Sequence, residues 1–187
     1  MGVTSQTIGA SLANIRTLEP ETRKKVADFV AYVLSRLQVP MLVYSGTRSY
    51  ADQWELRKKH LAGGPIAAAV GHSWHNFGRA VDMVPILPSG QEDWNSALWP
   101  QLISIAKGYG LTSGQSFGDT VHFFNEKGPS KESLRLAKPV PAKYQEIESG
   151  VPKDIEAKPF TIPGWLLWTA AGAASLGLLA YLTRDKN

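Results

Sequence analysis

Residues 163–182, PGWLLWTAAGAASLGLLAYL, run for twenty positions without a formal charge. A helix of about twenty residues crosses a hydrocarbon core of about 30 Å. Trp165 and Trp168 cluster at one end of the run, Tyr181 stands at the other, and Arg184 and Lys186 follow. Interfacial aromatics with flanking cations are the pattern of a membrane span. The run therefore predicts a transmembrane helix over residues 162–183, lipid contact through residues 163–182, and a short charged tail at 184–187. Ala173 and Gly177, four apart, offer a small-residue face for a homo-oligomer through that helix. Cations lie on both sides, Lys153 and Lys158 before and Arg184 and Lys186 after, so charge leaves the orientation open.

The competing reading of the run is a buried hairpin helix of a globular domain, and the preceding segment argues against it. Residues 128–161 hold five prolines (Pro129, Pro139, Pro141, Pro152, Pro159) among Lys and Glu, with few large apolar side chains. Such a segment buries too little surface to offset its ordering entropy and predicts a semi-extended linker over 128–161.

Residues 1–127 remain as one domain, and their pattern predicts an α+β fold. Pro20 suits a first helical turn, and Val26, Phe29, Val30, Val33, Leu34 and Leu37 follow at helical spacing until Pro40. Met41–Tyr44 reads as a buried strand, Tyr50–His60 as a helix closed by Gly63-Gly64-Pro65, and Ala80–Val84 as a strand around Asp82. A further helix is expected from about Trp99 to Lys107, and a short strand around His122. The Ser/Thr/Gly-rich start, Met1 to Ala13, does not read as a secretory signal peptide.

Composition narrows the chemistry. There is no cysteine, so disulfides and thiolates are excluded and any metal must be held by His and carboxylates. A net charge of +4 suits contact with anionic polymers, yet the cations form no stripe alternating with aromatics, and no nucleic-acid partner is expected. Of four histidines, His75 lies seven residues before Asp82 with Gly78 between, and His122 lies three after Asp119. Two imidazoles and one carboxylate are a ligand set for a catalytic zinc with one position left for water. The other carboxylate would be free to take a proton. His72, three residues before His75, reads as a rim residue and His60 as an exposed one. Trp74 and Phe77 are open between lining a cleft and packing on the core.

Ser73-x-His75-x-x-Gly78-x-Ala80-x-Asp82, followed by Asp119-x-x-His122, resembles the signature of the D-alanyl-D-alanine carboxypeptidase and L-alanyl-D-glutamate endopeptidase family, which includes VanY-like enzymes and phage endolysins. Ser45-Gly46-Thr47-Arg48-Ser49, with Gln53 after it, is similar to a third block of that family, in the same order. The resemblance covers about residues 12–125. It implies a small zinc-peptidase domain with a short antiparallel sheet flanked by helices. It also implies Zn2+ held by His75, Asp82 and His122, with Asp119 as general base. Arg48 would bind substrate or polarise its carbonyl, Ser73 would contact substrate or support the ligands from behind, and Gln53 would be a substrate-side contact. Two departures, Val121 where endolysins often carry proline and Ser113–Gly118 where they carry a Trp/Gly-rich stretch, bear on substrate preference.

The function so implied is cleavage of peptidoglycan stem peptides, with L-alanyl-D-glutamate endopeptidase favoured and D-alanyl-D-alanine carboxypeptidase as the alternative. A different class remains open: a non-catalytic, membrane-tethered structural or wall-binding protein of a virus particle. A C-terminal anchor with the catalytic domain in the periplasm, or a phage protein acting in lysis or penetration of the host wall, is the expected setting.

Overall fold

The structure, a computed structural model, describes residues 5–149. Six helices are seen among them: α1 Ser5–Arg16, α2 Pro20–Tyr32, α3 Tyr50–Leu61, α4 Trp99–Gly108, α5 Lys131–Ala137 and α6 Ala142–Ser149. Four strands, β1 Met41–Ser45, β2 Ala80–Pro85, β3 Thr112–Gly114 and β4 Asp119–Phe124, form an antiparallel sheet in the order β1-β2-β4-β3. The α+β expectation holds.

One face of the sheet carries the core. Alternation along the strands sends Val43, Val81, Met83 and Phe123 to one side, where they meet Val26, Phe29 and Val33 of the α2 stripe and Leu102 and Ala106 of α4. The other side is thereby left to Asp82 and His122, which face each other in the β2–β4 register. Pro20 does open α2, and Glu19 caps it, accepting from the Thr22 and Glu21 amides. The helical stripe continues past Tyr32 as a wider π-turn, Val33–Leu37, ending at Gln38 in the left-handed region (φ 56°).

Three elements depart from the expected reading. Residues 5–16 form α1, although Ser, Thr and Gly weaken their local helix signal. The helix is held by tertiary contact: the Ser11 hydroxyl accepts from the Val43 amide at 3.1 Å, and the Asn14 side chain donates to the Val43 carbonyl at 2.9 Å. Those two bonds satisfy backbone groups on the open edge of β1, which an exposed edge strand would otherwise leave to other chains. Strand β3 is only three residues long and gives no alternation to read.

The third departure is a correction. The semi-extended linker expected over 128–161 gives way, across residues 131–149, to α5 and α6. Ser130 caps α5 by accepting from the Ser133 amide. Val140 and Tyr144 are buried in a second small cluster with Tyr50 and Val70. The charged composition hid these two anchors among many polar neighbours. Residues 150–161, the uncharged run 163–182 and the tail 184–187 lie outside the described residues, as do Met1 to Thr4. Among the described residues no helix is long and apolar enough to cross a membrane.

Candidate metal centre and active site

His75 is delivered by a tight 3-10 turn, Trp74–Phe77, opened by Ser73, whose hydroxyl accepts from the His75 amide at 3.3 Å. Gly78 ends the turn with φ 68°, and a Cβ there would stand 2.9 Å from the Glu19 nitrogen. Only glycine fits both constraints, and the chain can then enter β2 within two residues. Asp82 follows on β2, and the antiparallel pairing sets His122 of β4 opposite it.

The three side chains converge. Asp82 Oδ1 lies 3.1 Å from His75 Nε2 and 2.9 Å from His122 Nδ1, and the two ring nitrogens are 3.1 Å apart. All three residues are enclosed, at 2%, 8% and 9% exposure for His75, Asp82 and His122. His75 Nδ1 sits 2.7 Å from the Gly46 carbonyl, an acceptor only, so Nδ1 carries a proton and Nε2 faces the cluster. Asp82 brings no proton when ionised. One proton on His122 Nδ1 is then all that neutral rings supply to three close contacts. Charging a ring or admitting a cation are the two ways to relieve the remaining lone-pair opposition.

The donor set fits zinc. Ligands at zinc bond lengths stand about 3.3 Å apart in a tetrahedron, close to the three separations here. A carbonyl that fixes the histidine tautomer is the usual support of such a ligand. Burial pushes the Asp82 carboxyl up, but the hydrogen bonds from His122 and His75 and the charge on those rings outweigh it. The group is held well below the usual carboxylate range and stays ionised.

Asp119 opens β4 immediately after Gly118, and is half-buried. Burial and then the Asp82 charge raise its pKa above the ordinary value, against the opposing pull of His122 and His75 and of the His122 amide, which its carboxylate accepts. It stands close enough to feel all three cluster residues without being one of the converging atoms. A carboxylate of raised pKa beside a metal set is suited to taking up a proton.

Arg48 follows β1, and its guanidinium reaches the second oxygen of Asp82 at 3.2 Å and the Ser45 hydroxyl at 3.2 Å. Gln53, expected on the substrate side, is 1% exposed. Its amide oxygen accepts from Arg48 at 3.0 Å and its NH2 donates to the Ala68 carbonyl at 2.7 Å. Gln53 therefore holds Arg48 from behind and is itself enclosed. Ser73 is likewise buried and spends its hydroxyl on the turn that carries His75.

His72 lies outside the converging cluster, and His60 is half-buried near the end of α3. Trp74 packs rather than lining a cleft: it stacks on Phe124, with Arg79 5.2 Å and Lys131 5.0 Å from its ring. Sequence reasoning missed the exposed aromatics near the centre. Phe117 lies 5.9 Å from the His122 ring, and Tyr44, whose phenol feels the charges of Asp82, Asp119 and Arg48, contacts Trp94 at 5.3 Å. Burial and then those carboxylates push the Tyr44 phenol far up, so it remains a neutral donor. A lone aromatic in a Ser/Gly/Gln loop, as at Phe117, was the available signal.

His75, Asp82 and His122 converge, the Gly46 carbonyl faces His75 Nδ1, and the Asp119 carboxylate stands beside them. The chain resembles the VanY-like zinc peptidases. Its solved neighbours include the Serratia marcescens L-Ala D-Glu endopeptidase ChiX, at 24% identity, covering 62% of this chain and 86% of that one, TM-score 0.48. A Zn(II) complex of the vancomycin-resistance D,D-pentapeptidase VanY matches at 17% identity, over 58% of this chain and 72% of that one, TM-score 0.47. The L,D-carboxypeptidase DacB of the pneumococcal Streptococcus matches at 20%, over 64% and 71%, TM-score 0.44. No family model matches the sequence, and the search of curated proteins returned no match. With every one of these TM-scores below 0.5, the chemistry of the site stands on its own side chains.

Proposed function

We propose that this chain is a zinc-dependent peptidase of bacterial cell wall that cleaves murein stem peptides, with the L-alanyl-D-glutamate bond as its favoured target. The observation that carries the reading is the convergence of His75 Nε2, Asp82 Oδ1 and His122 Nδ1 within 3.1 Å of one another, with one proton at most between them in their neutral-ring form. The motif order of the sequence supports the choice of substrate class.

Zinc, which His75, Asp82 and His122 would hold, would supply Lewis acidity and make water a usable nucleophile near neutral pH. Asp119 accepts the proton released as water attacks the peptide carbonyl, then hands it to the departing amine. Arg48, permanently charged, keeps the Asp82 carboxylate oriented through Oδ2 and places positive charge beside the oxygen that gains charge. Tyr44 and Phe117 offer apolar contact around the bond being cut.

The test is digestion of purified sacculi followed by mass spectrometry of the products. Release of peptides that begin at D-glutamate is the expected result, whereas loss of a terminal alanine alone rejects the endopeptidase assignment. Asp119→Asn is expected to lower turnover about 100- to 10,000-fold while zinc stays bound. Unchanged turnover would remove Asp119 from the mechanism. We further propose that the uncharged run 163–182 tethers the enzyme to a bilayer with the peptidase domain on the wall side, as in a phage lysis or wall-penetrating protein. Protease added to spheroplasts that express the tagged chain should digest the domain, and complete protection would reject that orientation.

A further inference from the structure

Asn76, next to the metal ligand His75, has no part in the chemistry above, yet it is wholly buried and every polar group of its side chain is spoken for. Its Oδ1 accepts from the Gly71 amide at 2.9 Å, and its Nδ2 donates to the Arg48 carbonyl at 3.0 Å. The Arg48 amide donates in turn to the His75 carbonyl at 2.9 Å. The backbone of Arg48 is thus gripped at both its N–H and its C=O by two consecutive residues of the turn that carries the metal ligand. A third bond, from His75 Nδ1 to the Gly46 carbonyl, stitches the same two segments together two residues upstream.

The consequence is geometric. Arg48 follows a strand on the sheet edge, and its side chain reaches the site only across the Gly46-Thr47 bend. Gln53 and Ser45 fix the guanidinium at its tip, and Asn76 fixes the backbone from which it springs. We infer that Asn76 is a positioning residue that ties Arg48 to the metal-bearing turn, so that the guanidinium and the His75–Asp82–His122 centre hold one fixed spacing. The His75 carbonyl bond alone permits the Arg48 peptide to pivot, and the second bond from Asn76 removes that freedom.

A mere fold-stabilising role predicts something different, and a double-mutant cycle separates the two. Residues that act as one unit are non-additive, whereas independent ones add. This inference rests on the peptidase reading for its kinetic arm alone. In the full chain, Asn76→Ala is expected to lower kcat/KM at least tenfold, with zinc affinity within about threefold of the unaltered protein. In an Arg48→Ala background the same substitution is expected to cost less than twofold more. Equal fold-losses in both backgrounds, or no loss in the first, overturn the inference.

The second arm needs neither metal nor turnover. The Arg48 guanidinium resonance of the metal-free, labelled chain should be sharp, and Asn76→Ala should broaden or shift it toward its solvated position. An unmoved resonance overturns the inference even if activity falls. Should Asn76→Ala not fold, Asn76→Asp, which keeps the acceptor for Gly71 and loses the donor to Arg48, is read by the same two measures. An unaltered chain that turns over no murein defeats the function proposed above, and the resonance then decides the role of Asn76 by itself.

Discussion

At the scale of single residues, the shortage of protons in the His75–Asp82–His122 contact governs what the site does. A metal needs ligand nitrogens free of protons, so its binding displaces any proton they carry. Metal uptake should therefore release protons and weaken as the pH falls through the histidine range, which calorimetry in buffers of different ionisation heat would read. Asp82→Asn is nearly isosteric and keeps an oxygen in place, but removes the charge; zinc affinity is expected to drop at least 100-fold, and an affinity unchanged by the swap would show that the metal sits elsewhere. The three converging side chains were legible because their spacing survives in one dimension: a glycine-closed turn and two short strands. Gln53 was not legible as a support, because what a buried amide bonds to is fixed by tertiary contact. The Ala68 carbonyl that claims the Gln53 NH2 lies fifteen residues away.

At the scale of elements, legibility followed the strength of local signals. Helix α2 announced itself through Pro20 and its apolar stripe, and β2 through the apolar residues around Asp82. Helix α1 did not, since its place comes from Ser11 and Asn14 closing the edge of β1. The α2 cap also has a measurable role. Glu19 accepts from the Thr22 amide at 3.0 Å and from the Thr22 hydroxyl, and faces Arg79 at 3.9 Å. Burial pulls the Glu19 carboxyl up, but those hydrogen bonds, with that of Glu21 and the Arg79 charge, prevail and lower it below its ordinary value. A depressed folded pKa stabilises the fold fully above the unfolded carboxylate value and loses that contribution as acid carries the pH down through the folded one. Glu19→Ala is thus expected to cost about 1 kcal/mol at neutral pH, as N-cap losses do. The gap to the unaltered chain should narrow on acidification, and urea melts at neutral and acid pH would show it. A gap that widens in acid would contradict the cap.

At the scale of the whole described molecule, the stretch after the last motif residue decides where the functional unit ends. Three attachments bind residues 127–144 to the segment around His75 and to the start of α3. The buried Arg79 guanidinium donates to the Lys127 and Pro129 carbonyls, the Tyr50 hydroxyl donates to the Lys138 carbonyl at 2.6 Å, and Val140 and Tyr144 pack on Val70 and Tyr50. Arg79 is decisive here. Its nearest carboxylate is Glu19 at 3.9 Å, so the two carbonyls supply most of what a buried cation needs, and their removal strands the charge. Composition concealed this because four or five anchoring contacts suffice to fold a polar segment onto a surface already built. A chain stopped at residue 126 should accordingly lose about 3 kcal/mol or more relative to one stopped at residue 149, the scale of an uncompensated buried charge together with an emptied aromatic site. Zinc affinity should fall with it, since Val70, Gly71 and Trp74 are the neighbours left exposed and His75 lies among them. If the shorter chain instead melts and binds zinc like the longer one, residues 127–149 are an appendage, and the folded unit closes at the end of β4.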